Sequence, residues 1–129
     1  MVTIAGAAAL LLAGCTSGGR PADAQLVAQW LRTSLSFVRS ERLGPPVAAR
    51  ISAYGSLALY EGYASDARSP LRSLAGQLNG LASLPSVSDE APVDGAIAAA
   101  EAERVVLDSL FRDGFASTKR TIDSLADAQ

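Results

Sequence analysis

Histidine is missing from this 129-residue sequence. That absence removes the commonest general base and the commonest metal ligand at once. There is one cysteine, Cys15, so neither an intrachain disulfide nor a cysteine-based metal cluster can form. Lysine is nearly absent too: of 11 basic residues only Lys119 is lysine and the rest are arginine. With 13 acidic residues the formal charge is −2, which gives no electrostatic case for binding nucleic acid or an anionic membrane surface. No apolar run reaches the roughly 20 residues that a bilayer crossing needs. Short alternating apolar runs bounded by turn residues are also missing, which argues against strands. There is no glycine-rich phosphate loop and no serine set in a nucleophile elbow.

The sequence is rich in apolar and helix-forming residues. Hydrophobic residues make up 49% and charged residues 19%, the composition of a folded domain and not of a disordered chain. Residues 1–19 carry no charged side chain, and residues 4–13 form an apolar run of the length of a secretory h-region. The run ends in Leu12-Ala13-Gly14-Cys15, a bacterial lipobox pattern: leucine, two small residues, then the cysteine whose thiol receives lipid. Residues 1–14 therefore read as a lipoprotein signal peptide. Residues 15–21 read as a lipidated tether, and residues 22–129 as a helical domain. Thr16 after the cysteine, where aspartate would signal retention, points to the outer membrane, facing the periplasm. The expected partner is thus the membrane, through lipid on Cys15. Met1-Val2-Thr3 lacks the positive charge of a signal n-region, which predicts a start codon further upstream.

The remainder reads as an all-α bundle of about four to five helices. Pro21 and Asp23 suit a helix start, and Leu26, Val27, Trp30, Leu31, Leu35 and Val38 recur at helical spacing, with Phe37 at the edge of the stripe. Gly44-Pro45-Pro46 stops this helix and starts the next, whose stripe is Val47, Ile51, Tyr54, Leu57 and Ala58. Gly55 and Gly62 lower its propensity but permit close packing. Ser69-Pro70 predicts the start of a short helix carrying Leu71, Leu74, Leu78 and Leu81, stopped by Asn79-Gly80. Residues 82–92 read as a loop. Residues 92–111 read as a long helix with Val93, Ile97, Ala100, Val106, Leu107, Leu110 and Phe111 inward, ended by Gly114. A last helix faces inward with Ile122 and Leu125 and has no cap or tail, which reads as a chain cut short.

Few side chains suggest chemistry. Glu61 reads as a helix-surface or helix-end carboxylate, paired with an arginine such as Arg50 or Arg68. Glu101 and Glu103 are two apart and point in different directions on a helix, so they do not form an acid–base pair. Glu101 and Arg104 suit a solvated ion pair of about 0.3–0.5 kcal/mol. Arg39, Glu41 and Arg42 read as a polar helix end, where cations favour the dipole, and Trp30 reads as core.

Residues 30–81 resemble the N-terminal helical region of bacterial vanadium-dependent haloperoxidase-like proteins, which belong with the PAP2-type acid phosphatases. The stretches that carry the likeness are Arg39-Ser40-Glu41-Arg42-Leu43, Pro45-Pro46-Val47-Ala48-Ala49-Arg50, Ala53-Tyr54, Ala58-Leu59-Tyr60-Glu61 and Ser73-Leu74-Ala75-Gly76-Gln77-Leu78-Asn79-Gly80-Leu81. They cover less than half the chain, and none is a catalytic motif. The resemblance implies an α-helical fold and, for the whole family, a pocket for vanadate or phosphate. That pocket is read from Lys-x6-Arg-Pro, Pro-Ser-Gly-His and Ser-Arg-x5-His-x3-Asp, in which cations neutralise the oxyanion and histidine serves the axial and acid–base roles. This sequence has none of the three. Seven residues after Lys119 stands Ala126, seven before Arg20-Pro21 stands Ala13, and no histidine exists for the other two. No catalytic, cofactor-binding or metal-binding residue is therefore assigned, and the chain as given is expected to hold no vanadate. The expectation is the N-terminal helical part of such a lipoprotein, inactive alone. Its other partners would be C-terminal catalytic helices or a second copy of the chain, and in isolation it should aggregate or be partly molten. The alternative is a complete small envelope lipoprotein that acts as a helical interaction module.

Overall fold

The computed structural model describes residues 21–85 and 92–129. It is all-α: α1 (Pro21–Ser40), α2 (Pro45–Ala64), α3 (Gly95–Leu110) and α4 (Ala116–Asp127). α2 and α3 share the most extensive interface, α1 lies against both, and α4 packs on α3. The core is built from Leu26, Trp30 and Phe37 of α1, Ile51 and Leu59 of α2, Ala99, Ala100 and Leu107 of α3, then Phe111, and Ile122 and Leu125 of α4. Phe37 and Phe111 meet edge to face, ring centroids 5.4 Å apart, the geometry that the aromatic quadrupole favours.

α1 ends in a tight left-handed turn. Leu43 N–H donates to the Val38 carbonyl and Arg42 N–H to that of Arg39, the two bonds of a Schellman cap. Arg42 occupies the left-handed position at φ 53°, where glycine is the usual residue. Leu43 and Val38 both pack against the core, which supplies the apolar contact that accompanies this cap. Pro45 then opens α2 without losing a useful N–H.

The expected stripes are shifted in places. In α1, Leu35 is 49% exposed while Ser34 and Phe37 are buried. In α2, Val47 and Tyr54 lie outside, and the inward face is Ile51, Gly55, Leu59 and Gly62. Two of those four positions are glycine because α3 comes too close for side chains. A methyl group at position 62 would stand 2.3 Å from Ala99 Cα, so this seam is backbone against backbone. In α3, Ile97 is 60% exposed, and Ala99 and Glu103 turn inward. A hydropathy stripe favours the largest apolar residues, whereas here the closest contact belongs to the smallest.

The helix expected from Ser69 does not form; residues 69–81 are turns. Gly76 and Gly80 have φ of 78° and 82°, which no α-helix tolerates. The Ser69 and Ser73 hydroxyls accept from Leu71 and Ala75 N–H, the local bonds that compete with helix formation. Leu71 and Leu78 are 39% and 40% exposed, so the leucine stripe has no face to bury. Leu74 N–H is taken instead by the Glu61 carboxylate at 2.7 Å. Downstream, α3 starts at Gly95, later than residue 92, because Asp94 caps it by accepting from Ala96 and Ile97 N–H.

Candidate functional site

Two places carry features beyond packing. The first is an open groove between the N-terminal half of α1 and the loop after α2. Val27 and Leu31 of α1, Tyr63 of α2, Leu71 of the loop and Ala96 of α3 form its walls, and its volume is about 890 Å³. A recess of about 240 Å³ continues it and shares Val27, Leu31, Tyr63 and Leu71. The walls are mainly apolar. At the rim Asp66 binds Arg68 twice over: Oδ2 accepts from Nη2 at 2.8 Å, and Oδ1 accepts from both Nε and the backbone N–H. Asp66 Oδ2 also accepts from Gly95 N–H at 3.4 Å, which ties the loop to the start of α3. The Arg68 guanidinium and backbone N–H hold the Asp66 carboxyl well below the usual carboxylate range. The pair shapes the groove mouth and leaves its charge internally neutralised.

The second place is Glu103, which is fully buried at the junction of α1, α2 and α3. Its Oε1 lies 3.2 Å from Ser34 Oγ, and Oε2 has no hydrogen-bond partner among the described residues. Gly55 of α2 faces it: a methyl group there would meet Oε1 at 2.6 Å. Burial pushes the Glu103 carboxyl up to about 7, and the Ser34 hydroxyl only partly opposes the shift. The sequence does show Glu103 two residues from Glu101 and so on another face. The missed signal is that this face also carries Ala99, Ala100 and Leu107.

The other expected residues are dispersed. Glu61 caps the Leu74 amide and pairs with neither Arg50 nor Arg68. Arg104 does bind Glu101, and it reaches Asp108 as well at 2.8 Å, an exposed chain along α3. Glu41 leaves Arg39 and Arg42 in solvent and turns to α4, where its Oε1 accepts from Phe115 N–H and Thr118 Oγ. Lys119 Nζ donates to the Arg112 carbonyl. Trp30 is fully buried. Cys15 lies outside the described residues.

A vanadate or phosphate oxyanion needs converging cations and donors. Arg68 and Arg104 are committed to carboxylates, and Arg39 and Arg42 are exposed. These four side chains do not form such a cradle. Among the described residues there is no cluster of three metal-ligating side chains, and no helix is long and apolar enough to cross a membrane. Comparison with family models, with curated proteins and with solved structures finds no match in any of the three.

Proposed function

We propose that this chain is a non-catalytic, lipid-anchored helical module of the bacterial envelope, the N-terminal portion of a vanadium-dependent haloperoxidase-like lipoprotein whose oxyanion chemistry resides in further helices. The observation that supports a packing role is the groove. Val27, Leu31, Tyr63 and Leu71 offer a continuous apolar surface beside a core that α1, α2 and α3 have already filled. Helices of the same polypeptide are the occupant this reading assigns. Lipid on Cys15 holds the module at the outer membrane, facing the periplasm.

Sequencing the native gene past codon 129 tests the assignment. An open frame that continues into the Lys…Arg-Pro, Ser-Gly-His and Arg…His motifs supports it. A stop codon at that point, with no such motifs in an adjoining frame, overturns it. The anchor is tested separately by labelling cells with a palmitate analogue: the wild type should carry label and Cys15→Ala should not. An unlabelled wild type removes the anchor from the proposal.

A second reading, a complete small lipoprotein that serves as an interaction module, is favoured by one observation. Glu41 closes α4 onto α1, so all four helices are joined by specific contacts of their own. It requires a cooperative thermal transition in a soluble monomer of the mature chain. Aggregation or a molten state of that chain favours the first reading instead.

A further inference from the structure

Glu103 is the one fully buried ionisable side chain among the described residues, and its surroundings suit one of its two protonation states. Ser34 Oγ lies 3.0 Å from the Trp30 carbonyl and 3.2 Å from Glu103 Oε1. The hydroxyl has a single proton. Ser34 therefore shares that proton between the Glu103 carboxyl and the Trp30 carbonyl. A neutral Glu103 needs no more than this shared contact; its Oε2, like the Trp30 indole Nε1, has no hydrogen-bond partner among the described residues. An ionised Glu103 has two charged oxygens and at most one donor, and Ser34 must then abandon the Trp30 carbonyl to supply it.

No cation offsets the charge from any side. On α1 the neighbours are Ser34 and Trp30, while Arg32 and Arg39 are exposed and Asp23 is half-buried near the start of the helix. On α2 the facing residue is Gly55; Arg50 is exposed and Glu61 serves Leu74 N–H. On α3 itself Arg104 binds both Glu101 and Asp108 on the outer face. On α4 the inward residues are Thr118, Ile122 and Leu125, and Lys119, Arg120, Asp123 and Asp127 are exposed.

We propose that Glu103 is a proton-operated lock on the α1–α2–α3 junction: neutral, it lets α1 and α2 close on α3 around it, and ionised, with a single shared donor at Ser34, it loosens α1. Neither Gly55 nor Gly62 provides side-chain bulk on the facing side of α2, so a charged carboxylate finds no alternative contact there. The same helix supplies Val27 and Leu31, one wall of the groove, and loosening it opens that wall. The device is therefore a regulator of the groove by pH, and it stands whatever occupies the groove.

The sequence makes the test clean. With no histidine, the chain has no other side chain that ordinarily titrates between about pH 5 and 8. Its single tryptophan, Trp30, sits at the lock and reports on it by fluorescence. Denaturant unfolding of the full chain should show the folding equilibrium constant falling by roughly fifty- to a hundredfold from pH 5 to 8. Glu103→Gln should be flat over that range. A flat wild type, or an equal slope in Glu103→Gln, overturns the lock. Should Glu103→Gln fail to fold, carbon-13 NMR of the wild-type Glu103 carboxyl decides. Titration near neutrality upholds the proposal, and titration in the ordinary glutamate range overturns it.

Discussion

Glu41, just beyond the end of α1, caps a helix that begins 75 residues later: its Oε1 accepts the Phe115 backbone N–H at 2.7 Å. The same oxygen accepts from Thr118 Oγ at 2.6 Å. Phe115 is the N-cap of α4 and has no side chain able to do this itself. A carboxylate also suits the positive end of a helix. Gly114 leaves the room, since a methyl group there would stand 3.0 Å from the carboxylate. Glu41→Ala should cost about 1–2 kcal/mol. Amide exchange should show the loss concentrated in α4, and uniform loss over all four helices would contradict the capping role.

Gly62→Ala should be among the most damaging single-methyl changes in the chain. The added carbon would fall 2.3 Å from Ala99 Cα, and backbone cannot step aside as a side-chain tip can. Overpacking of this kind costs about 1–3 kcal/mol or more. The intrinsic helix preference of alanine over glycine, about 1 kcal/mol in the other direction, only partly offsets it. A denaturation midpoint at or above the wild type would mean that α2 and α3 do not approach this closely.

Arg42→Gly should stabilise the protein. Arg42 is held at φ 53°, a conformation costing an L-residue about 1–2 kcal/mol. Glycine relieves that strain and gives some of it back through the freer unfolded chain, for a net gain of about 0.5–1 kcal/mol. A thermal melt of the variant is sufficient to check the sign.

Ser34→Ala addresses the buried acid from its partner's side. The Ser34 hydroxyl is what holds the Glu103 carboxyl down, so its loss should move that group above about 7. The sign of the stability effect follows. Folded Glu103 keeps its proton to higher pH than unfolded Glu103, so stability falls as pH rises from about 4.5 through about 7 and then levels off. The full loss is about 3 kcal/mol for a shift of this size. In Ser34→Ala the decline should end at higher pH. A decline that ends at lower pH would show that Ser34 stabilises the neutral form instead.

Much of this architecture is legible in the sequence. Pro21, Pro45-Pro46, Gly114 and the apolar repeats place the four helices, because those signals are local and chemical. Side-chain environment is less legible. Leu71, Leu74, Leu78 and Leu81 have perfect helical spacing, yet spacing alone cannot outweigh Gly76 and Gly80 in left-handed geometry and two serines bonded to their own backbone. Glu41 looks like part of a basic helix end, but its partner lies 74 positions away. Glu103 looks like a surface charge until Gly55 and Ser34 are brought beside it from two other helices. For Glu41 and Glu103 the deciding neighbour is remote in sequence, and periodicity carries no information about it.

The glycine seam between α2 and α3 also has a kinetic side. α1 and α2 are joined by residues 41–44 alone, whereas 30 residues separate the end of α2 from the start of α3. Closing the longer connection costs about 2 kcal/mol more in chain entropy. It is rewarded only when Gly62 and Ala99 are already in register, since a seam of bare backbone attracts over a very short range. The first two helices should therefore pair as a hairpin before the third arrives, and its docking sets the folding rate.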